Sequence, residues 1–248
     1  MDRRRFLLTG GGILTAACLP ALAERSGAFQ YSLLRLGDQW EERRRALVKL
    51  SFEVQKRCNI PIETTPTVIN IGQIAKVNSP FFVISGGTAF KQPGQGDARA
   101  MRLVLNSGGI LLFDDTSPDG DTAFYQAALT FMRKVYPELE GPFPLPRDHA
   151  VYQSYYLLKE PRGRLNKRDY LEGWTMGGRT RAFFSHNDLL GAMEADQLGS
   201  WRFNMEIGGG FRRELCFRLG INMTYYTLTL NYKKDRAFPP IIERRRRI

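Results

Sequence analysis

The sequence predicts an α/β domain: a mostly parallel sheet with helices on both faces. Strand-like and helix-like patterns alternate from Phe29 onward. Two candidate strands, Phe81–Ser85 and Ile110–Phe113, are unbroken apolar runs, as strands covered on both faces require. The segments between them place apolar residues at helical spacing. At 248 residues, the chain is long enough to bury such a core.

Phe29 to Leu36 alternates and opens the sheet. Trp40 begins a helical stretch to about Lys56, with Leu47, Leu50 and Val54 on one stripe. Pro61 and Pro66 break the chain before a short strand, Thr67 to Ile71. Phe81–Ser85 ends at Gly86-Gly87. Asp97 is positioned to cap a helix from Ala98 to Asn106, stopped by Gly108. Ile110–Phe113 closes in Asp114-Asp115, and Thr122 to Val135 is helical. A proline-rich loop from Pro137 to Pro146 follows, then a strand from Val151 to Leu158. Gly163 to Asp169 is a charged excursion. Arg181 to Ser185 is the next strand, and His186-Asn187-Asp188 follows it. Glu194 to Gly210 reads as irregular, and Phe211 to about Leu230 as a last helix with Leu215, Leu219 and Met223 on one stripe.

In a parallel sheet, ligands bind beyond the carboxyl ends of the strands. Gly86 and Gly87 allow backbone to approach a ligand there. Asp114 and Asp115 leave an apolar strand, which is costly unless they are paired, hydrogen-bonded or metal-bound. Asn187 and Asp188 either join them or cap the segment from Leu189 to Ala195. Asp148 and His149 follow the rigid Leu145-Pro146, an arrangement that suits a base, a metal ligand or a loop anchor. His186 is the other histidine. Arg179 is placed to hold an anion or pair with Asp114 or Asp115, with Arg181 as its competitor. The set of ligand-binding candidates is thus Gly86, Gly87, Asp114, Asp115, Asp148, His149, Arg179, Asn187 and Asp188. Asp114, Asp115 and His149 are the catalytic candidates. No zinc-ligand spacing, nucleophile elbow or phosphate-loop motif occurs, so neither a metal nor a cofactor is called for.

The N-terminus carries an address. Arg3, Arg4 and Arg5 precede a modestly apolar stretch from Phe6 to Leu19. Pro20 and Ala21-Leu22-Ala23 then supply a cleavage signature, so residues 1–23 read as a signal peptide. Arg3-Arg4-x-Phe6-Leu7 is similar to the twin-arginine export signal. The expected location is the periplasm or the cell envelope, with a single domain over 29–232. Residues 233–248 form a basic tail, read as disordered, that ends in Arg244 to Arg247. The formal net charge of +11 admits an anionic membrane surface or an acidic partner for that tail. Export, and the lack of any helix-turn-helix, zinc-finger or RNA-binding signature, argue against nucleic acid. Cys58 and Cys216 lie far apart in sequence with no CxxC; a bridge and two buried thiols both fit.

Several segments together carry a family resemblance. They are Phe29-x-Tyr31-x-x-x-Arg35-Leu36, Pro80 to Gly86, Leu105 to Asp115, and Phe131-x-x-x-Tyr136-Pro137. Later come Leu145-Pro146-x-Asp148-His149-x-x-Tyr152, Leu171-Glu172-Gly173, Ser185-x-Asn187-Asp188-Leu189 and Arg218 to Asn222 with Tyr226 and Leu228. In combination the chain resembles the bacterial family called domain of unknown function 4159. That resemblance implies a fold similar to class I glutamine amidotransferase domains, a flavodoxin-like arrangement. In those domains the corresponding strand ends in a nucleophilic cysteine. Here it ends in Asp114-Asp115, so amidotransferase activity does not carry over.

The leading expectation is an exported module that binds a ligand or an envelope protein without covalent chemistry. The alternatives are a hydrolase pairing Asp114 or Asp115 with His149, with or without a divalent metal, and an envelope scaffold held by its basic tail.

Overall fold

A computed structural model describes residues 28–37, 40–77, 79–117 and 122–229. Residues 1–23, read above as a signal peptide, and the expected tail over 233–248 with Arg244 to Arg247 lie outside the described residues. The strands are β1 (Tyr31–Leu34), β2 (Thr67–Ile69), β3 (Phe81–Gly86), β4 (Ile110–Asp115), β5 (Phe143–Pro144), β6 (Glu172–Met176) and β7 (Arg179–Ser185). The α-helices are α1 (Arg44–Cys58), α2 (Gln95–Asn106), α3 (Ala123–Val135) and α4 (Gly209–Thr229). One sheet runs in the order β2-β1-β3-β4-β7-β6-β5. The first five of these strands pair in parallel; β6 and β5 add an antiparallel edge.

The apolar runs are buried on both faces, as their composition requires. Leu33, Val83, Leu112 and Phe183 pack against α1 and α4 through Leu47, Leu50, Cys216 and Leu219. Leu34, Ile84, Phe113 and Phe184 face α2 and α3 through Met101, Leu105, Phe124 and Phe131. Helix α4 is buried nearly all round, and Gly220 admits Leu50, whose Cδ1 would lie 2.9 Å from an added Cβ. Among the described residues, no helix is long and apolar enough to cross a membrane.

Three expectations need correction. Val151 to Leu158 is not a strand: Ala150–Tyr152 is a short 3-10 turn. Asn222 on α4 then accepts the N–H groups of Tyr155 and Tyr156 at 3.2 and 2.7 Å, so a sheet neighbour is not needed there. Helix α2 begins before Asp97, with Gly94 as its N-cap. Strand β6 and the start of β7 fill a stretch in which the sequence pattern predicts only Arg181 to Ser185 as strand. They form a hairpin through Gly177 and Gly178, both at positive φ (61° and 73°), the glycine pair that a tight hairpin turn favours.

Candidate functional site

Strand β4 runs two residues past its apolar part. Ser85 pairs with Asp114 and Gly86 with Asp115, so both carboxylates belong to the sheet's carboxyl edge. Alternation along the strand turns Asp114 toward the α1/α4 side and Asp115 toward the α2/α3 side.

Asp114 is fully buried. Its Oδ1 and Oδ2 accept the N–H groups of Leu189 and Leu190, each at 2.8 Å. These bonds fasten the start of the 3-10 turn Leu190–Met193 to the sheet. Burial, followed by the negative charge of Asp188, pushes its carboxyl up to about 7. The two N–H bonds and the Ser185 hydroxyl pull the other way.

Asp188 is also fully buried and sits at φ +48°, a conformation Asp tolerates. Arg43 approaches it in two-point geometry, Nε to Oδ1 at 2.9 Å and Nη2 to Oδ2 at 3.1 Å. Arg164 Nε donates to the same Oδ2. The Gly191 N–H donates to Oδ1 at 3.0 Å.

Asp115 accepts from the Ser117 N–H at 2.9 Å and the Ser117 hydroxyl at 2.7 Å. Lys167 Nζ lies 3.9 Å from Oδ2 and donates to the Ser117 carbonyl. Gly87 permits this fold-back: a Cβ there would stand 3.1 Å from the Ser117 nitrogen.

Asn187 binds the 163–168 segment. Its Oδ1 accepts the N–H groups of Lys167 (2.8 Å) and Arg168 (3.0 Å), and its Nδ2 donates to the Arg168 carbonyl at 2.6 Å. A Cβ on Gly163 would overlap the Asn187 carbonyl oxygen. The charged excursion is therefore a strap laid tightly across the sheet edge.

The structure brings Gly86, Gly87, Asp114, Asp115, Asn187 and Asp188 together. It does not bring Asp148, His149 and Arg179 to them. His149 Nε2 contacts Thr180 Oγ1 at 3.0 Å, near the amino end of β7, while its Nδ1 accepts the Val151 N–H at 3.1 Å. Ser185, at the other end of β7, is the residue beside Asp114. Five residues of strand separate them by about 16 Å. His149 is thus a buried anchor for the Ala150–Tyr152 turn, and the Asp–His pairing expected of a hydrolase does not form. Arg179 starts β7 at the same distant end, and Asp148 is exposed beside His149. Arg181 donates to the Leu105 carbonyl at 2.9 Å. His186 does sit by the carboxyl edge, 3.1 Å from Glu172 Oε2 and against the rings of Phe184 and Tyr125.

The family model described as Domain of unknown function (DUF4159) matches residues 25–228. The chain belongs to that family. No curated protein matches the sequence.

The described part of this DUF4159 domain offers no activated thiol. Cys58 and Cys216 are both free. Cys216 is buried in α4, where it donates to the Arg212 carbonyl at 3.2 Å, and burial pushes its thiol up to about 12. It lies about 15 Å along α4 from Tyr226, the ring that His149 packs on. Burial raises the Cys58 thiol as well. Among the described residues, no three His, Cys, Asp or Glu side chains gather as a metal would need.

Four contributors to the edge are not evident from the sequence: Arg43, Arg164, Lys167 and Ser185. Arg43 does carry a signal. It stands four, seven and eleven residues before Leu47, Leu50 and Val54, on the stripe that α1 buries. Arg164 and Lys167 carry none, because a charged segment reads the same whether it is solvated or folded onto a sheet.

Proposed function

We propose that this chain is an exported ligand- or protein-binding module with an amidotransferase-like arrangement and no thiol chemistry. One observation carries the reading: the acids at the carboxyl edge are engaged inside the protein. Asp114 holds a turn, Asp188 holds two guanidiniums, and Asp115 holds Ser117 and Lys167. A general acid or nucleophile has to reach a substrate. These carboxylates instead build a rigid platform under the 163–168 strap, the kind of surface on which recognition depends. The position where amidotransferases carry cysteine is Asp114-Asp115 here, and both cysteines have raised thiols. Export rests on the twin-arginine-like start and is read from sequence. The basic tail would let the domain meet envelope proteins or anionic lipid.

Two measurements test this. Ammonia release from glutamine should stay at the buffer rate, in the wild type and in Cys58→Ser/Cys216→Ser alike. A thermal-shift screen of small metabolites should give a saturable hit that is weakened in Lys167→Ala. Thiol-dependent ammonia release, or a covalent acyl adduct on Cys58 or Cys216, would overturn the proposal.

A further inference from the structure

Beside the platform, on the α1 side, a hairpin docks on the start of α1. Ala195 and Trp201 form an antiparallel bridge at its base, and the Arg202 N–H donates to the Glu194 carbonyl at 3.0 Å. The buried Glu194 carboxylate in turn accepts the Ala46 N–H at 2.7 Å. This fixes Arg202 next to the first turn of α1. The cleft between them has a volume of about 490 Å³ and is lined by Arg44, Arg45, Arg202, Glu194, Glu41 and Val48, with Thr65 at its margin.

The charge in this corner is unbalanced. Arg43, Arg164 and Arg202 all lie over the ring of Phe203, at 4.4, 5.3 and 5.3 Å from its centre. Asp188 supplies a carboxylate to the first two only. Among the described residues, Arg202 and Arg45 form no ion pair within 4 Å, and the carboxylate that acts on both from farther away is Glu194. Glu194 gives one oxygen to the Ala46 N–H and faces Arg45 and Arg202 electrostatically. The Arg44–Glu41 contact at 3.7 Å is a surface pair of little strength, so three arginines line the cleft against two carboxylates, Glu41 and Glu194. Guanidiniums gathered around a concave space, with Arg202 seated on the Phe203 ring, match the planar oxygens of a carboxylate or phosphate. The cleft's size falls within the roughly 300–1,000 Å³ typical of small-molecule sites.

We propose that this cleft binds a small oxyanion-bearing ligand, a phosphate or a carboxylate compound, through Arg202, Arg45 and Arg44. The inference rests on the binding-module reading and names the ligand chemistry for its α1 side.

The test is thermal unfolding of the full chain with pyrophosphate or citrate, at ionic strength matched by sodium chloride. The expected result is a saturable rise of roughly 5 °C with one of the two. That anion identifies whether phosphate or carboxylate is recognised. The rise should vanish in Arg45→Ala/Arg202→Ala and persist in Arg147→Ala, an exposed arginine elsewhere. Both alanine sites are exposed, so folding is retained, and circular dichroism verifies it. No saturable rise with either anion overturns the inference. So does an equal rise in all variants. A rise that survives Arg45→Ala/Arg202→Ala but is lost in Lys167→Ala also overturns it, while leaving the binding-module reading intact.

Discussion

Arg43 and Asp188, far apart in sequence, form a buried two-point ion pair that ties the entrance of α1 to the end of β7. Such a pair is weak evidence for net stability, but breaking one side is costly. Asp188→Asn leaves Arg43 buried with half its partner and should destabilise the domain by about 3–5 kcal/mol. Arg43→Met should cost less, because Arg164 still serves Asp188. In urea unfolding, the double variant should cost less than the sum of the two singles. Strict additivity would show that the two side chains do not act as a pair.

Asp114 makes stability depend on pH. Its carboxyl is raised in the folded state to about 7, so the folded chain binds the proton more tightly than the unfolded chain. The stability this supplies is full below the ordinary carboxylate range and is lost as pH rises through about 7. Asp114→Asn cannot titrate. It keeps one acceptor for two N–H groups and should be less stable than wild type at pH 5. That gap should narrow by pH 8. Parallel stability curves for the two proteins across this range would contradict the assignment.

Gly163 has no room for a side chain. A methyl group there meets the Asn187 carbonyl oxygen, a backbone atom that cannot swing aside. Gly163→Ala should therefore lift the strap and lower stability by about 1–3 kcal/mol. Hydrogen exchange should quicken at the Leu165, Lys167 and Arg168 amides, which bond to Asn187. Unchanged exchange would mean the strap is not held at that point.

The two thiols should differ in reactivity. Iodoacetamide at pH 8 should modify half-buried Cys58 slowly and leave buried Cys216 untouched until the chain unfolds. Mass spectrometry reads both positions. Rapid native modification of Cys216 would contradict its burial.

The sheet's middle strands and its carboxyl edge are legible in the sequence, because a short unbroken apolar run bounded by turn residues suits a strand covered on both faces. Phe81–Gly86 and Ile110–Asp115 fall where their hydrophobicity puts them. Strand β6 is not legible, because Glu172, Gly173 and Thr175 do not resemble a buried strand. Gly173 is there because Leu145 and Thr180 close over it, at 2.7 and 2.8 Å from an added Cβ. Val151 to Leu158 misleads for the opposite reason. It is rich in the tyrosine and valine that favour strands, but Tyr155 stacks on Tyr225 of α4, and Asn222 replaces a neighbouring strand's carbonyl. His149 looks like chemistry because a histidine beside an aspartate always does. Only tertiary contact shows that its ring is closed in by Thr180, Phe183 and Tyr226.

Carbodiimide labelling of carboxylates, read by mass spectrometry on the native chain, tests most directly whether the edge acids are structural. Asp114, Asp115 and Asp188 should stay unlabelled while exposed Asp148 and Asp196 react, and all five should label once the chain is unfolded. Labelling of Asp115 or Asp188 in the folded protein at the rate of Asp196 would show a carboxylate open to substrate, and the binding-only account would fail.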